Sequence, residues 1–494
     1  MGSNSFRLEI GQVLKGRYRR IDYLKETVRL GAGLDESGLL TQDATQRGLA
    51  CLTRFAQRLD GYTSSQVRAV ATQTLREARN RDAFLARAQT VLGLPIEVIS
   101  GREEARLIFA GVAQLQPSEV PRLVIDIGGR STEMILGQRR KPLRAESFRV
   151  GSVSLSMKYF PGGRLTEAVF REAQVAAGAE LEEALEPFAR RHWQEALGAS
   201  GTVGAVSQLL AAGGITDGAI TPDGLRWCIE QCVRAGRIEH LSLPGLKEER
   251  RVVIAGGLAI LVTLATQFDI DALRPARGAL RQGVIFDLNE RRGAALDPTH
   301  AHDIRDASVR ELQRRFMVDM KQAERVCDVA GALYAAMQSR GGGEAAKEVR
   351  RELRREMLWA AALHEVGMMV SHHDHHRHSA YLLAHVDAAG FSQSQQRRLA
   401  DLVLAQRGGL RKSEAALAHE AFAWQALCLR LAIIECHARS DVSPSALSLQ
   451  RDGNQAVLSF APGWAEAQPR TLYLLQEEEA SWGRNGPLRL VLKL

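Results

Sequence analysis

The sequence has no run of about 18 or more apolar residues, the length that a membrane-spanning helix needs. Its first residues, MGSNSFRLEIGQ, lack a basic segment followed by an apolar one, so no secretion signal is predicted. Phe6 stands where a myristoylation signal needs Ser or Thr. Of only six cysteines, Cys228 and Cys232 are four apart on a predicted helix, which favours packing over metal binding. We therefore expect a cytoplasmic, reduced protein with at most peripheral membrane contact.

Aromatic residues are also scarce, at 5%, and no long basic stretch is interleaved with them. This argues against a platform for single-stranded nucleic acid, and we expect no nucleic-acid partner. No segment matches the GK[ST] phosphate loop, and none has GxGxxG after a strand. The chain does carry a net charge of +8. Such a charge favours a polyanion, but charge alone does not separate nucleic acid, nucleotides and inorganic polyphosphate.

Residues 123–133 read LVIDIGGRSTE. The first five are apolar apart from Asp126, which predicts a buried strand. Gly128 and Gly129 predict a tight turn that a ligand approaches closely and whose N–H groups point at an anion. Ser131 adds a hydroxyl donor, and Asp126 stands at the strand end as a candidate metal ligand. An ordinary Gly-Gly turn without a ligand fits this stretch about equally well.

Two charged side chains begin predicted helices near this stretch. Arg76 follows a predicted strand at residues 67–71 and stands on the opening turn of a helix, where an anion can bind. A surface charge explains Arg76 equally well. Ser100 and Glu103 fit a capping box, which leaves Glu104 without a capping role. Glu104 is therefore a candidate general base, although a solvated first-turn glutamate is the simpler reading of this position.

Strands alternate with glycine turns and helices up to about residue 295, which predicts an α/β architecture with a ligand at the loop ends. Gly201 lies in a second glycine-hydroxyl turn, at 198–202. Helices are predicted over 43–59 and 166–185. Further strands are predicted at 28–31, 95–99, 149–153 and 252–254.

The composition changes near residues 289–302, and we place the main boundary there. Residues 303–440 have a helical pattern throughout. Residues 364–378 hold six of the thirteen histidines, which indicates either a transition-metal site or, with slightly more weight, a hydrogen-bonded or polyanion-facing cluster. The last stretch, 446–494, is predicted to form a small β-rich cap from LSLQ, QAVLSF, TLYLL and LRLVLKL.

Several of these segments, in this order, closely resemble the exopolyphosphatase and guanosine pentaphosphate phosphatase family. They are GSNSFRL at 2–8, ATQTLREARN at 71–80, ISGREEARLIFAG at 99–111, VIDIGGRSTE at 124–133, GASGT at 198–202, RGALRQG at 277–283 and HEVG…HRHSAYLL at 364–383. The resemblance covers nearly the whole chain. The sequence is similar to the long, four-domain bacterial form of the family.

The resemblance implies duplicated actin-like (ribonuclease-H-like) α/β domains that face each other across a cleft. An all-α HD-like domain and a small β-rich C-terminal domain would follow. The expected domains are 1–110, 111–295, 296–440 and 441–494.

The resemblance also implies the roles of the site residues. Glu104 would be the catalytic base, and Asp126 would bind metal with Glu133 beside it. The residues implied to bind phosphate are Gly2, Ser3, Asn4, Ser5, Arg76, Gly128, Gly129, Ser131 and Gly201.

Three departures from the family pattern matter. Arg130 stands where the family usually has a third glycine, and its guanidinium would either help neutralise phosphate or obstruct the turn. The family has a strand and a metal-binding Asp before Gly2, and the sequence begins at Met1, which indicates an incorrectly assigned start. If the chain is truly this short, we expect weaker metal binding than in a form extended upstream. His364 and Glu365 replace the His-Asp pair of HD phosphohydrolases. We therefore expect the helical part to grip a polyanion and dimerise rather than catalyse.

The resemblance implies metal-dependent, processive hydrolysis of terminal phosphate from inorganic polyphosphate. The implied cofactor is Mg²⁺, with K⁺ as a further candidate, and the implied assembly is a homodimer. The nearest alternative is hydrolysis of guanosine pentaphosphate to the tetraphosphate at the same site. A phosphotransferase of the same fold is a further alternative, against which the Glu104 motif argues. A non-catalytic protein that binds polyphosphate or the guanosine phosphates is an alternative of another class.

Overall fold

The computed structural model describes residues 1–14, 16–296, 303–338, 343–443 and 445–493. The chain divides into two compact units, Met1–Ala301 and His302–Leu494, and each has its own hydrophobic core. Among the described residues, none of the helices combines the length and the apolar character required to cross a membrane.

The first unit mixes strands and helices, as predicted. Its strands are β1 (Phe6–Leu14), β2 (Arg17–Glu26), β3 (Ala69–Ala71), β4 (Ile96–Val98), β5 (Arg122–Ile127), β6 (Thr132–Gln138), β7 (Lys141–Phe148), β8 (Glu195–Gly198) and β9 (Leu273–Pro275). Its α-helices are α1 (Gln42–Arg58), α2 (Gln73–Glu77), α3 (Arg81–Leu92), α4 (Gly101–Leu115), α5 (Ser152–Tyr159), α6 (Glu167–Leu181), α7 (Gly201–Ala212), α8 (Pro222–Ala235), α9 (Glu248–Gln267) and α10 (Leu280–Leu296). Short 3-10 helices span Gly31–Gly33, Ser64–Gln66, Pro161–Gly163, Glu182–Ala184, Arg190–His192 and Ile238–His240.

The main sheet has the order β7-β6-β5-β8-β9, and its centre is β5. This strand pairs antiparallel with β6 and parallel with β8, so it is covered on both sides by neighbours. Its apolar residues are buried, as expected for a central strand. The register sets Asp126 directly opposite Glu133, which puts both carboxylates on the same face of the sheet. Two smaller sheets pair β1 with β2 and β3 with β4.

Helices α4 and α10 lie against each other because glycines remove the side chains between them. A Cβ on Gly283 would lie 1.8 Å from the Leu107 carbonyl oxygen, and one on Gly111 would lie 2.4 Å from the Ala279 carbonyl oxygen. Only glycine allows so close an approach of two backbones. The RGALRQG segment therefore serves helix packing as well as any ligand, and it fixes the helix that carries Glu104.

The second unit is mainly helical. Its α-helices are α11 (Ile304–Arg315), α12 (Met320–Ala336), α13 (Glu344–Ala362), α14 (His375–His385), α15 (Gln393–Ala405), α16 (Glu414–Leu417), α17 (Glu420–Glu435), α18 (Trp464–Ala467) and α19 (Pro469–Asn485). Its strands are β10 (Leu447–Asp452), β11 (Gln455–Phe460) and β12 (Arg489–Lys493), and its 3-10 helices span Val366–Met369 and Leu410–Ser413. Helix α17 is apolar on all sides and buried along most of its length, as expected for a central core helix. Strand β11 pairs antiparallel with β10 and parallel with β12, with α19 lying between β11 and β12 in the chain.

Four of the strand predictions are wrong. Residues 28–31 form no strand and lead into a 3-10 helix, residues 149–153 end a loop and begin α5, residues 252–254 lie inside α9, and residues 471–475 lie inside α19. A short apolar run does not distinguish a strand from a segment of a buried helix. The helices predicted at 43–59 and 166–185, the helical stretch 303–440 and the C-terminal strands other than 471–475 are confirmed.

Candidate active site

Two short turns in the first unit are built in the same way. In residues 2–5, the Gly2 N–H donates to the Ser5 carbonyl oxygen at 3.2 Å. After β5, the Gly128 N–H donates to the Ser131 carbonyl oxygen at 2.8 Å. Each turn therefore closes on itself over four residues, as expected of a tight hairpin turn.

The two turns lie against each other. A Cβ on Gly129 would lie 3.0 Å from the Ser3 Cβ and 3.5 Å from the Asn4 backbone nitrogen. The hydroxyl of Thr74 donates to Ser3 Oγ at 2.7 Å, and the Gly31 N–H donates to the Ser3 carbonyl oxygen at 2.7 Å. The structure thus brings together residues 2–5 and 128–131, two segments whose residues the resemblance implies to bind phosphate.

The start of α5 holds the second turn. Its Ser152 N–H and hydroxyl both donate to the Gly128 carbonyl oxygen, at 2.9 and 3.1 Å. A Cβ on Gly151 would lie 2.4 Å from the Arg130 backbone nitrogen. Sequence reasoning missed this support, because residues 149–153 were predicted as a strand. The glycine in that segment was the available signal.

Glu104 stands in the first turn of α4, directly after a capped N-terminus. The Ser100 Oγ accepts from the Glu103 N–H at 3.2 Å, which confirms Ser100 as the N-cap. The Glu103 carboxylate pairs with Arg106 at 2.7 Å. A Cβ on Gly101 would lie 2.4 Å from the Ser147 Cβ, so this glycine lets α4 begin against β7. Glu104 is buried. As the sequence analysis predicted, the N-cap contact involves Glu103 and leaves Glu104 without a capping role.

Arg76 binds Glu104 directly. Its Nη1 donates to Glu104 Oε2 at 2.9 Å and to the Ile99 carbonyl oxygen at 3.0 Å. Its Nε donates to Gln73 Oε1 at 2.8 Å. Its Nη2 is buried, and the described residues supply no acceptor for it; the same holds for the hydroxyl of Ser5. Buried donors without partners are uncommon, and an oxyanion would satisfy them.

Three carboxylates lie close enough to repel one another. Burial, and next to it the charge of Glu104, raises the pKa of Asp126 to about 7. Burial, followed by the charges of Glu104 and Asp126, raises the pKa of Glu133 well above its usual value. Ser147 donates to Glu133 Oε1 at 2.8 Å. A cation bound among these oxygens would relieve the repulsion.

Asp126 and Glu133 fit a magnesium ion. Among the described residues, no group of three or more His, Cys, Asp and Glu side chains is arranged to hold a metal. Mg²⁺ does not need such a cage, because it is commonly bound by one or two carboxylates together with waters and substrate phosphate. Two carboxylates on the same face of a sheet, both with raised pKa, meet that requirement.

A cavity of about 370 Å³ is lined by both turns. The predicted site residues in its wall are Gly2, Ser3, Asn4, Ser5, Glu104, Asp126, Gly128, Gly129, Ser131 and Gly201. Arg76 and Glu133 each lie next to a residue that lines the cavity: Arg76 contacts Glu104, and Glu133 is opposite Asp126. The structure therefore brings all twelve predicted residues to one region of the first unit.

The cavity wall also carries five arginines that the sequence analysis did not assign, namely Arg7, Arg68, Arg250, Arg281 and Arg292. Burial lowers the pKa of both Arg7 and Arg250, so these cations are poorly hydrated. Arg281 is anchored on Glu9 at 2.9 Å. A Cβ on Gly201 would lie 2.4 Å from the Arg250 Nη2, so Gly201 makes room for that guanidinium. Arg7 and Arg281 lie inside quoted motifs, which was the available signal.

The histidine cluster of the second unit is largely a packed, hydrogen-bonded group. The His364 Nδ1–H donates to the Ala361 carbonyl oxygen at 2.6 Å, and burial lowers the pKa of His364 to about 4. His364 Nε2 lies 3.9 Å from Glu365 Oε1, and Arg439 donates to the same oxygen. The residues described there supply no ligand set for a transition metal, so the hydrogen-bonded alternative fits this cluster better.

Two family models match the chain. The model of the Ppx/GppA phosphatase family matches residues 10–292, and the model of Ppx/GppA phosphatase domain III matches residues 304–479. The first match covers more than half of the chain and contains the second turn, Glu104, Arg250 and Arg281.

Solved structures similar to this chain agree with the family match. An exopolyphosphatase from Cytophaga hutchinsonii is 25% identical, with a TM-score of 0.54, and the match covers 58% of this chain and 96% of that chain. An exopolyphosphatase-like protein is 24% identical, with a TM-score of 0.52 and coverage of 58% and 94%. The PPX-GPPA enzyme of Aquifex aeolicus is 26% identical, with a TM-score of 0.49 and coverage of 58% and 96%. The predicted actin-like fold with a helical second part is confirmed.

Proposed function

Because the chain belongs to the Ppx/GppA phosphatase family, we propose that it hydrolyses the terminal phosphate of inorganic polyphosphate in a metal-dependent reaction. The observation that carries this proposal is the position of Glu104, which lines the cavity and binds Arg76. The second Nη of Arg76 has no acceptor among the described residues. A terminal phosphoryl group is an acceptor of the right charge and size. The likeness to an exopolyphosphatase supports the choice of substrate.

The terminal phosphoryl group would be held by donors that are already in place. Residues 2–5, Gly128, Gly129 and Ser131 line the cavity, and the hydroxyl of Ser5 and the Nη2 of Arg76 lack partners among the described residues. Donors fixed in a buried site stabilise charge that develops during phosphoryl transfer without having to reorganise.

Glu104 would act as the general base. It accepts a proton from a water molecule, the water oxygen forms a bond to the terminal phosphorus, and the bond from that phosphorus to the bridging oxygen breaks. The products are inorganic phosphate and a chain one unit shorter. Asp126 and Glu133 would hold Mg²⁺, which supplies neutralisation of phosphate charge when it is bound.

The rest of the chain would lie along the arginines. Arg7, Arg250 and Arg281 provide three positive charges in the same wall as the two turns. Their distribution suits a substrate with several phosphates in a row, and it keeps a shortened chain near the site for the next cycle. This is the basis on which we propose processive hydrolysis.

The test is phosphate release from long-chain polyphosphate with Mg²⁺. The Glu104→Ala variant is expected to lose about a hundred- to ten-thousandfold in rate, as is typical when a general base is removed. The matched control is Glu119→Ala, which removes an exposed glutamate of the first unit and should leave the rate unchanged.

Other outcomes would contradict the proposal in different ways. An unchanged rate in Glu104→Ala would exclude this base. Release from guanosine pentaphosphate alone would assign the other substrate to the same site. Polyphosphate binding without any release from either substrate would indicate a binding protein.

A further inference from the structure

A line of polar contacts connects the second turn to Glu104. Arg130, in the turn, donates from Nε to Glu77 Oε2 at 2.7 Å. Gln73 Nε2 donates to the other Glu77 oxygen at 2.5 Å. Gln73 Oε1 accepts from Arg76, and Arg76 in turn donates to Glu104 at 2.9 Å. The line thus ends on the residue that we propose as the base.

Arg130 differs from the other residues of the second turn in its relation to the cavity. Gly128, Gly129 and Ser131 line the cavity, whereas Arg130 is not among the described residues that do. Its Nη1 donates to the Gly31 carbonyl oxygen at 3.1 Å, so the guanidinium is fixed at two points. A group held in this way acts on the site through Glu77 rather than by contact with substrate.

Three residues of this line of polar contacts belong to the short helix α2. Gln73, Arg76 and Glu77 all belong to this five-residue helix. Glu77 is an anion close to Arg76, and the two are separated only by Gln73. With Arg130 present, Glu77 has its own cation. Without Arg130, Glu77 would compete with Glu104 for Arg76.

We propose that Arg130 is a positioning residue for the hydrolysis, which keeps Arg76 on Glu104 by pairing with Glu77 across Gln73. The inference rests on the proposed function. It also assigns a role to the side chain that replaces glycine in the turn: the guanidinium neither obstructs the turn nor neutralises substrate phosphate.

The test compares Arg130→Met and Arg130→Lys with the parent chain, using whichever of polyphosphate and guanosine pentaphosphate the parent hydrolyses. Arg130→Met is expected to lower kcat by about tenfold or more with KM changed by less than about twofold, because a small displacement of catalytic groups costs rate rather than binding. Arg130→Lys is expected to recover part of the loss, because an ammonium still pairs with Glu77.

A second background isolates the line itself. Glu77→Gln removes the anion that would compete with Glu104 for Arg76, so Arg130→Met should lower kcat no further in that background. The matched control is Arg139→Met, which removes an exposed ion pair with Glu119 from the neighbouring β6–β7 hairpin and should keep the parent rate. Thermal unfolding of each variant checks that the fold is retained, and Arg130→Gln takes the place of Arg130→Met if that variant unfolds.

Each contrary result is distinct. An active parent with unchanged kcat in Arg130→Met, or an equal loss of kcat from Arg130→Met in the Glu77→Gln background, would overturn the positioning role alone. A raised KM that persists in the Glu77→Gln background would mean that Arg130 binds substrate. A parent that hydrolyses neither substrate would overturn the proposed function and this role together.

Discussion

Buried carboxylates in the first unit fall into two kinds according to their partners. Asp287 accepts from Arg68, Arg106 and Arg291, at 2.6, 2.6 and 2.5 Å. Burial alone would raise its pKa, but the three cations outweigh it and hold the pKa below the usual value. For Asp126, burial, followed by the charge of Glu104, outweighs Arg7 and Arg281 and raises the pKa. The two shifts separate a carboxylate held by three cations from one that we propose binds a cation.

His364 provides a prediction at this scale. Burial lowers its pKa from 6.5 to about 4, so in the folded second unit it is neutral where the unfolded chain already binds a proton. Its contribution to stability is complete above pH 6.5 and is lost as the pH falls toward 4. Between pH 7 and pH 5 the free energy of unfolding should fall by about 2 kcal/mol for this group.

Urea unfolding of the second unit at the two pH values measures the effect. His364→Gln should remove the part of the pH dependence that His364 contributes, whereas His376, whose pKa burial also lowers to about 4, keeps its own part. The control is His373→Gln, whose side chain is exposed and which should keep the parental dependence. Identical pH dependence in the parent and in His364→Gln would show that His364 is already protonated in the folded protein at pH 5.

At the scale of elements, the position of Glu104 depends on how α4 is fixed. Its N-terminus is capped by Ser100 and packs on β7 through Gly101, and its other end lies against α10 through Gly111 and Gly283. Asp287 on α10 adds an ionic link, since Arg106 belongs to α4. The proposed base is thus held on a helix rather than on a loop, which suits a catalytic group.

Asp287→Asn tests this link. The substitution leaves three arginines facing a neutral amide in a buried site, and breaking a buried ion pair in this way typically costs about 3–5 kcal/mol of folding free energy. Urea unfolding of the first unit is the measurement. The matched control is Asp217→Asn, an exposed partner of Arg274, which should change the free energy of unfolding by less than about 1 kcal/mol. Equal effects of the two substitutions would mean that water reaches the Asp287 cluster.

At the scale of the whole molecule, the chain is two units with separate cores. One core is built from residues between 309 and 490, and the others from residues between 6 and 284. The two family models match the units separately. The predicted boundaries at 110 and 440, the homodimer and the use of K⁺ stay predictions.

Two units with separate cores should give two transitions in calorimetry. Asp287→Asn is expected to lower only one of them. Arg430→Met is expected to lower only the other, because it strips the buried Glu478 of its cation in the second unit. A single transition that both substitutions lower together would mean that the units unfold cooperatively.

The same calorimetry, repeated on Glu104→Ala with added polyphosphate, identifies the unit that binds the ligand. This variant is used because we expect it not to hydrolyse the polyphosphate during the measurement. A short polyphosphate with Mg²⁺ should raise the transition that Asp287→Asn lowers, because a ligand stabilises the unit that binds it. A long chain that raises both transitions would support the predicted polyanion grip of the helical part. A short chain that raises only the transition assigned to the second unit would contradict the site proposed here.

The sequence by itself determined the local features. Two glycines after an apolar strand that ends in an acid produced the second turn, and Ser100 followed by two glutamates produced a capped helix with Glu104 free for chemistry. These features depend on neighbours within a few residues, so they can be read along the chain. Buried helices were less readable, since α9 is apolar all round and residues 252–254 within it resemble a strand.

Only the tertiary structure decided which side chains meet. Arg250 fills the space beside Gly201, and Arg130 pairs with Glu77 across 53 positions of sequence. Such contacts depend on the packing of distant elements, and no periodicity or spacing encodes them. The same packing brings Asp126 and Glu133 to one sheet face and Arg76 to Glu104, which makes a chemical site out of separately readable motifs.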